Sequence, residues 1–256
     1  MIRITTLMDD ELSRNLSLRA EHGLSYLIET PDRKILFDTG GSSATLENAR
    51  ILGRDLNHLD AIVLSHGHYD HCYGFRSISP GRKNYVGKNF FGTRLEQFGI
   101  KFVDISSGLD ETIYDFETVE DHTEILPGIH AIGNFDRITK FETIPSKFVR
   151  LIDGKIVQDM FEDEICLVIE NRNALHVLVG CSHLGIVNMI SRVKKFFDKP
   201  IETLLGGIHL NSADKDRIIE TMMNLKMLGV KNLCLSHCSG EIENSTHFGT
   251  GDCLFL

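Results

Sequence analysis

The sequence predicts an α/β protein whose strands carry metal-binding side chains at their carboxyl ends. Three observations lead there. From Ile165 onward, strand and helix patterns alternate as a βαβαβ series, the signature of a parallel sheet. Each of the three strands in that series runs into a histidine: His183, His209 and His237. Earlier in the chain, the apolar run Ala61-Ile62-Val63-Leu64 leads directly into Ser65-His66-Gly67-His68-Tyr69-Asp70-His71. Active groups gather outside the carboxyl ends of strands in open α/β sheets, so these residues are expected to converge.

Taken in order, the first half is strand-rich. Met1–Leu7, Gly23–Glu29 and Lys34–Phe37 alternate or run apolar, and the Pro31-Asp32 turn joins the latter two as a hairpin. A helix is expected over Ser43–Leu52, with Ser42 or Ser43 as its cap, Ala44, Leu46 and Ile51 apolar, and Gly53 as its stop. Ala61–Leu64 is the strand that carries the histidine cluster. Between residues 81 and 163, short strands are expected over Asn84–Gly87, Lys101–Ile105, Glu111–Phe116, Glu124–Leu126 and Ile129–Ile132, with Asn134–Asp163 an elaborated loop. Strands over Ile165–Glu170 and Leu175–Val179 then flank the Asn171-Arg172-Asn173 turn. Leu184–Phe197 (helix), Thr203–Leu205 (strand), Ser212–Leu228 (helix) and Asn232–Leu235 (strand) follow. No repeat or linker divides the chain, so residues 1–256 are expected to form one domain.

The heptapeptide carries most of the chemistry. Three imidazoles and a carboxylate at the end of a buried strand deliver nitrogen and oxygen donors to one point, which suits a borderline divalent ion such as zinc. His66 and His68 alternate with Gly67, so an extended backbone projects both rings to one side. Asp70 and His71 lie past the strand, where the chain can turn back and offer a second set.

This HxHxDH spacing after an apolar strand closely resembles the metallo-β-lactamase superfamily. Further matches are Asp38-Thr39-Gly40 after the strand Lys34–Phe37, Gly180-Cys181-Ser182-His183, Gly206-Gly207-Ile208-His209-Leu210 and Ser236-His237-Cys238-Ser239-Gly240. Together they resemble the branch of dihydropterin-methyl-ribofuranosylaminobenzene-phosphate synthases and related metal-dependent hydrolases. The resemblance covers essentially the whole chain. It implies a four-layer αβ/βα sandwich of two mixed β-sheets flanked by helices, with the region around 81–163 covering the metal centre and choosing the substrate.

It also implies roles. His66 and His68 would hold one metal, and Asp70 and His71 a neighbour about 3.5 to 4 Å away, with His237 completing the second site. Asp38 would accept a hydrogen bond from a metal-bound histidine. The family's usual histidine, roughly two dozen residues before a strand-end aspartate or cysteine, is missing. Val157–Glu164 offers Asp159, Glu162, Asp163 and Glu164 instead. His183 is the best replacement, and Cys181 is either a bridging thiolate or a packed small residue. In related phosphodiesterases the histidine in the place of His209 donates a proton, so Asp70 and His209 are the expected catalytic groups. His22, before Gly23-Leu24-Ser25, lies near the same edge as Asp38 and is a functional candidate, although an ordinary surface role is expected for it, and structural roles for His58, His122, His130, His176 and His247.

The implied cofactor is Zn2+, two ions, with Mn2+ or Fe2+ as alternatives. The implied reaction is metal-dependent hydrolysis, or displacement of a phosphate or diphosphate leaving group, with a synthase-type reaction on a pterin diphosphate as one form of the latter. Lys83, Arg82, Lys88, Arg137, Lys140, Lys147 and Arg150 are available for phosphate contacts. The rival readings are a non-catalytic metal-binding scaffold or ligand sensor, and a di-iron redox enzyme. The di-iron relatives carry an appended flavin domain, for which 256 residues leave no room.

Composition sets the outer bounds. The apolar share of 42% and charged share of 25% are those of an ordinary globular protein. A net charge of −9 and the lack of a dense basic patch argue against nucleic acid or an anionic membrane as partner, and the resemblance implies a small, phosphorylated molecule. Met1-Ile2-Arg3-Ile4 opens straight into a strand pattern rather than a signal peptide, and six scattered cysteines read as reduced thiols. A cytoplasmic location is therefore expected. Cys166 and Cys234 lie in apolar runs and are expected in the core.

Overall fold

A computed structural model describes residues 1–78 and 83–256; the expected start of the middle region at 81, and Arg82, lie outside the described residues. The first elements are β1 (Arg3–Met8), β2 (Ser25–Glu29), β3 (Lys34–Phe37), α1 (Ala44–Ile51), β4 (Ala61–Val63), α2 (Tyr69–Cys72) and β5 (Lys83–Gly87). Then come β6 (Thr93–Phe98), β7 (Lys101–Asp104), β8 (Glu117–Val119), β9 (His122–Leu126), β10 (Ile129–Ile132), β11 (Phe148–Ile152) and β12 (Lys155–Gln158). The last are β13 (Cys166–Asn171), β14 (Ala174–Val179), α3 (Ile186–Phe196), β15 (Ile201–Gly206), α4 (Lys215–Met227), β16 (Asn232–Leu235), β17 (Thr246–His247) and β18 (Cys253–Phe255).

Two mixed seven-stranded sheets form, in the orders β18-β1-β2-β3-β4-β5-β8 and β17-β16-β15-β14-β13-β10-β9. Side chains alternate across each strand and so feed separate cores. Phe37, Val63, Leu167, Leu178 and Leu205 meet between the two sheets. Leu36 and Ile62, one residue along, face Ala49 of α1. Val177 and Val179 pack with Met189, Ile190 and Val193 of α3 and Leu225 of α4. Three hydrophobic seams thus separate four layers, the expected αβ/βα sandwich. Parallel pairing of β14, β15 and β16 confirms the βαβαβ reading, and β2 and β3 form the expected hairpin.

Four details differ from expectation. Glu111–Phe116 is not a strand, because Asp110 captures the backbone N–H and hydroxyl of Thr112 and turns the chain before β8. The stretch 134–163 is not all loop. β11 and β12 form a hairpin around Asp153-Gly154, whose φ values of 49° and 73° suit a tight turn, and this hairpin joins β6 and β7 in a separate four-stranded sheet. Strand β6 was not anticipated. In α1, Ile51 is 51% exposed while Asn48 is buried, its amide donating to Leu7 O and Arg19 O. Ser42, rather than Ser43, caps that helix, accepting from Ala44 N.

Cys166 and Cys234 are buried, and all six cysteines are free thiols. Among the described residues, no helix is long and apolar enough to cross a membrane.

Candidate metal centre

Strand β4 ends in a tightly braced loop. Gly67 N donates to Asp163 Oδ2 at 2.7 Å, and a Cβ on Gly67 would lie 2.7 Å from Phe90 O and 2.8 Å from Arg94 Nε. Only glycine therefore fits between the two histidines. Arg94 is fully buried and pairs with Asp163 at 2.8 Å and with Asp159. The acidic residues weighed as substitutes for the missing imidazole thus have other work. Asp159 and Asp163 neutralise Arg94, and Glu162 accepts from Asn89 at 2.6 Å. Glu164 receives the backbone N–H groups of His183 and Leu184 at 2.7 and 2.8 Å. Burial pushes the carboxyl of Glu164 up to about 8.

Asp38 sits at the root of the cluster with φ of 57°. Its carboxylate accepts from Ser65 N (2.6 Å), Ser65 Oγ (2.7 Å) and His71 Nδ1 (2.6 Å). Because Ser65 Oγ donates to Asp38, it accepts from His66 Nδ1 at 2.9 Å. One buried carboxylate therefore sets both rings with their Nε2 atoms bare.

The second sheet supplies the opposing groups. Val179 pairs with Gly206, and Gly206 with Leu235, so the ends of β14, β15 and β16 are level and their following residues share one edge. Ser182, His209 and His237 all take left-handed φ, between 48° and 59°, a concentration of unusual backbone typical of functional sites. Cys181 Sγ lies 3.3 Å from His71 Nε2. Donor atoms lie within 4.8 Å of one another in the groups His66/Cys181/His183, His71/Cys181/His237 and Cys181/His209/Cys238. Cys181 is common to all three. His68 packs beside His66 and His183, with ring centres 4.6 and 4.9 Å away, and His183 stacks on Phe161 at 4.0 Å.

All nine residues singled out from the sequence (Asp38, His66, His68, Asp70, His71, Cys181, His183, His209 and His237) gather here. Among the described residues, His66 Nε2, His68 Nε2, both ring nitrogens of His183 and His209 Nδ1 are buried without a hydrogen-bond partner. Orphaned buried nitrogens are costly unless something satisfies them. Burial also holds His66, His68 and His183 well below the usual imidazole range, leaving neutral rings with lone pairs to offer. Burial alone would raise Asp70, but His71 and His237 pull it below the ordinary carboxylate range, so it stays ionised. A nitrogen-rich set with one carboxylate and a thiol fits a borderline divalent cation.

Two residues were not seen in the sequence as part of this cluster. Asp10 accepts from His237 Nδ1 at 2.6 Å and from His22 Nδ1 at 2.9 Å, which places His22 at the centre rather than on ordinary surface. Each is a single polar residue in an irregular segment, with no periodicity to mark it. By contrast, His122, His130 and Glu170 hydrogen-bond one another on β9, β10 and β13, among none of the nine site residues.

The centre floors a cleft of about 690 Å³. Glu96, Phe98, Val103 and Phe148 of the four-stranded sheet, with Lys147 just before β11, line the same cleft as the histidines. Lys147 pairs with Glu96 at 2.7 Å and lies over the Phe148 ring.

Fold and site define a metallo-β-lactamase fold with a multi-histidine centre, and comparison with known proteins agrees. Residues 18–134 match the family model of the metallo-beta-lactamase superfamily. The 7,8-dihydropterin-6-methyl-4-(beta-D-ribofuranosyl)-aminobenzene-5'-phosphate synthase of Methanocaldococcus jannaschii is 33% identical over 265 residues, covering 95% of this chain and 90% of the relative. The crystal structure of Tm1679, a metal-dependent hydrolase of the beta-lactamase superfamily, matches with a TM-score of 0.86 at 29% identity, over 100% of this chain and 99% of that one. A diphosphatase from the PhnP family shares the fold, with a TM-score of 0.54 at 14% identity over 100% and 98% of the two chains. The chain belongs to the metallo-β-lactamase superfamily.

Proposed function

We propose that this protein is a zinc-dependent enzyme that breaks a phosphoester or diphosphate linkage in a small molecule. The reading rests chiefly on the buried, unpartnered imidazole nitrogens of His66 and His183, grouped with Cys181, and of His68 beside them, together with an ionised Asp70. His66, His68 and His183 would hold one ion, and Asp70, His71 and His237 the other, with Cys181 shared between them. The synthase relative supports a substrate carrying phosphate or diphosphate. Residues 1–256 would act as one domain in the cytoplasm.

A bound cation pair would supply Lewis acidity, acidifying water and polarising the bond under attack. The protein's own residues do the rest. Asp38 and Ser65 keep His66 and His71 in the tautomer that presents Nε2. Asp70, charged and lining the cleft, orients the attacking group. His209 lies against His183 and Phe148 with Nδ1 unpartnered, placed to hand a proton to the departing oxygen. Lys147, also lining the cleft, offers a charge to the substrate's phosphate.

The test is metal content and turnover of the wild type and His68→Ala, on bis-p-nitrophenyl phosphate and on a dihydropterin methyl diphosphate. Zinc-dependent turnover that falls at least about 100-fold in His68→Ala is expected. Bound metal without turnover on any phosphoester or diphosphate would instead favour a sensor. Stoichiometric iron with redox activity would favour a di-iron enzyme.

A further inference from the structure

We propose that His22, oriented by Asp10, is a ligand of the second metal site, together with Asp70, His71 and His237. The inference builds on the dinuclear reading above but concerns residues outside the recognised motifs.

The geometry around Asp70 Oδ2 carries it. Three imidazole nitrogens surround that one oxygen: His237 Nε2 at 3.3 Å, His71 Nε2 at 3.4 Å and His22 Nε2 at 3.5 Å. Each of the three rings has its other nitrogen committed to a carboxylate. His71 Nδ1 donates to Asp38, while His237 Nδ1 and His22 Nδ1 donate to the two oxygens of Asp10, at 2.6 and 2.9 Å. A carboxylate cannot donate, so in the neutral rings the proton is on Nδ1 and Nε2 carries a bare lone pair. Three ring nitrogens thus converge on one carboxylate oxygen, and the ring centres of His22 and His71 lie 4.7 and 5.0 Å from that of His237. One divalent cation resolves the arrangement, and three nitrogens with one carboxylate oxygen make an ordinary four-donor set for zinc.

His22 is also held in place, although 56% of its side chain is exposed. Leu24 N donates to Asp70 O, and Gly23 N donates to Asp10 Oδ1. Gly23 itself, at φ of 150°, approaches so closely that a Cβ there would lie 2.4 Å from Asp70 O. The loop carrying His22 is therefore latched to the backbone of the residue it would share a metal with. Asp10 plays toward His22 and His237 the part that Asp38 plays toward His71, the carboxylate-histidine arrangement found behind metal ligands.

The test titrates cobalt(II) into metal-free wild type, His22→Ala, Asp10→Asn and His68→Ala, following visible absorption and total bound metal. The wild type should take up two equivalents. His22→Ala should keep the first at wild-type affinity and bind the second about 10- to 100-fold more weakly, with an altered spectrum for that equivalent. Asp10→Asn should weaken the same equivalent, and His68→Ala the other one. Because His22 is largely exposed, its removal should leave the thermal transition of the metal-free protein unchanged. Two tight equivalents with a wild-type spectrum in His22→Ala would overturn this assignment while leaving the dinuclear centre standing. A wild type that binds no cobalt or zinc would overturn both.

Discussion

Gly67 is the residue on which the strand-end cluster depends most directly. Its amide is held by Asp163, and the space a methyl group would need is taken by Phe90 O and Arg94 Nε. Gly67→Ala should therefore cost about 1–3 kcal/mol through overpacking and also displace His66 and His68. Urea denaturation together with bound-metal analysis would check this, and unchanged stability and metal content would refute it. Arg94 extends the argument one shell outward. Arg94→Leu leaves Asp159 and Asp163 buried without their counter-charge, so a loss of about 3–5 kcal/mol is expected by the same denaturation assay. Arg94 was not flagged in the sequence, because nothing local distinguishes a buried arginine from the many exposed ones. His66 and His68 were legible because their spacing and their strand are contiguous.

At the scale of elements, helix α3 shows how the middle region is tied to the scaffold. The helix begins after Gly185, whose φ is 96°, and has no capping side chain of its own. Glu142, from the segment between β10 and β11, accepts from Val187 N at 2.9 Å and Asn188 N at 3.0 Å, and from Thr139 Oγ1. Glu142→Ala should lower stability by about 1–3 kcal/mol by orphaning these donors. The pH dependence has a definite sign. Burial raises the Glu142 carboxyl above its ordinary value, outweighing the backbone amides and Thr139, which lower it. The folded state then holds the proton more tightly than the unfolded chain. That contribution is complete below the unfolded pKa and is lost as pH rises through the folded one. Non-titrating Glu142→Gln should consequently gain on the wild type as pH rises from the ordinary glutamate value upward, read from paired urea midpoints. A constant difference across that range would refute the burial argument. Asp153-Gly154 is a local hairpin signal that the expectation of a loop over 134–163 passed over, whereas the Glu142 clamp joins residues 45 and 46 apart and had no local mark.

Across the whole molecule, the candidate centre lies at one edge of the sandwich, where strand ends of the two face-packed sheets come together. β3 and β4 bring Asp38, His66, His68, Asp70 and His71 from one side, while β14, β15 and β16 bring Cys181, His183, His209 and His237 from the other. A bound ion would cross-link the halves in the folded state alone. Chelation should therefore lower the thermal midpoint by about 5–10 °C for each ion lost, corresponding to about 2.7 kcal/mol for a site held near 100-fold above its dissociation constant. Differential scanning fluorimetry with EDTA, followed by zinc restoration, would measure it. An unchanged midpoint would mean that no ion bridges the sheets.

By itself, the sequence determined the parallel βαβαβ half and the nine clustered side chains, while the four-layer architecture was implied by the resemblance to the metallo-β-lactamase superfamily. Apolar periodicity and strand-end motifs are local, and a parallel sheet brings strand ends level whatever joins them. Only the tertiary structure decided the rest. It turned the acidic run 162–164 toward Asn89, the buried Arg94 and backbone amides, lined the cleft with a four-stranded sheet, and brought His22 and Asp10 to Asp70. Those outcomes depend on which irregular segments touch after packing, and such contacts leave no period or spacing in the chain.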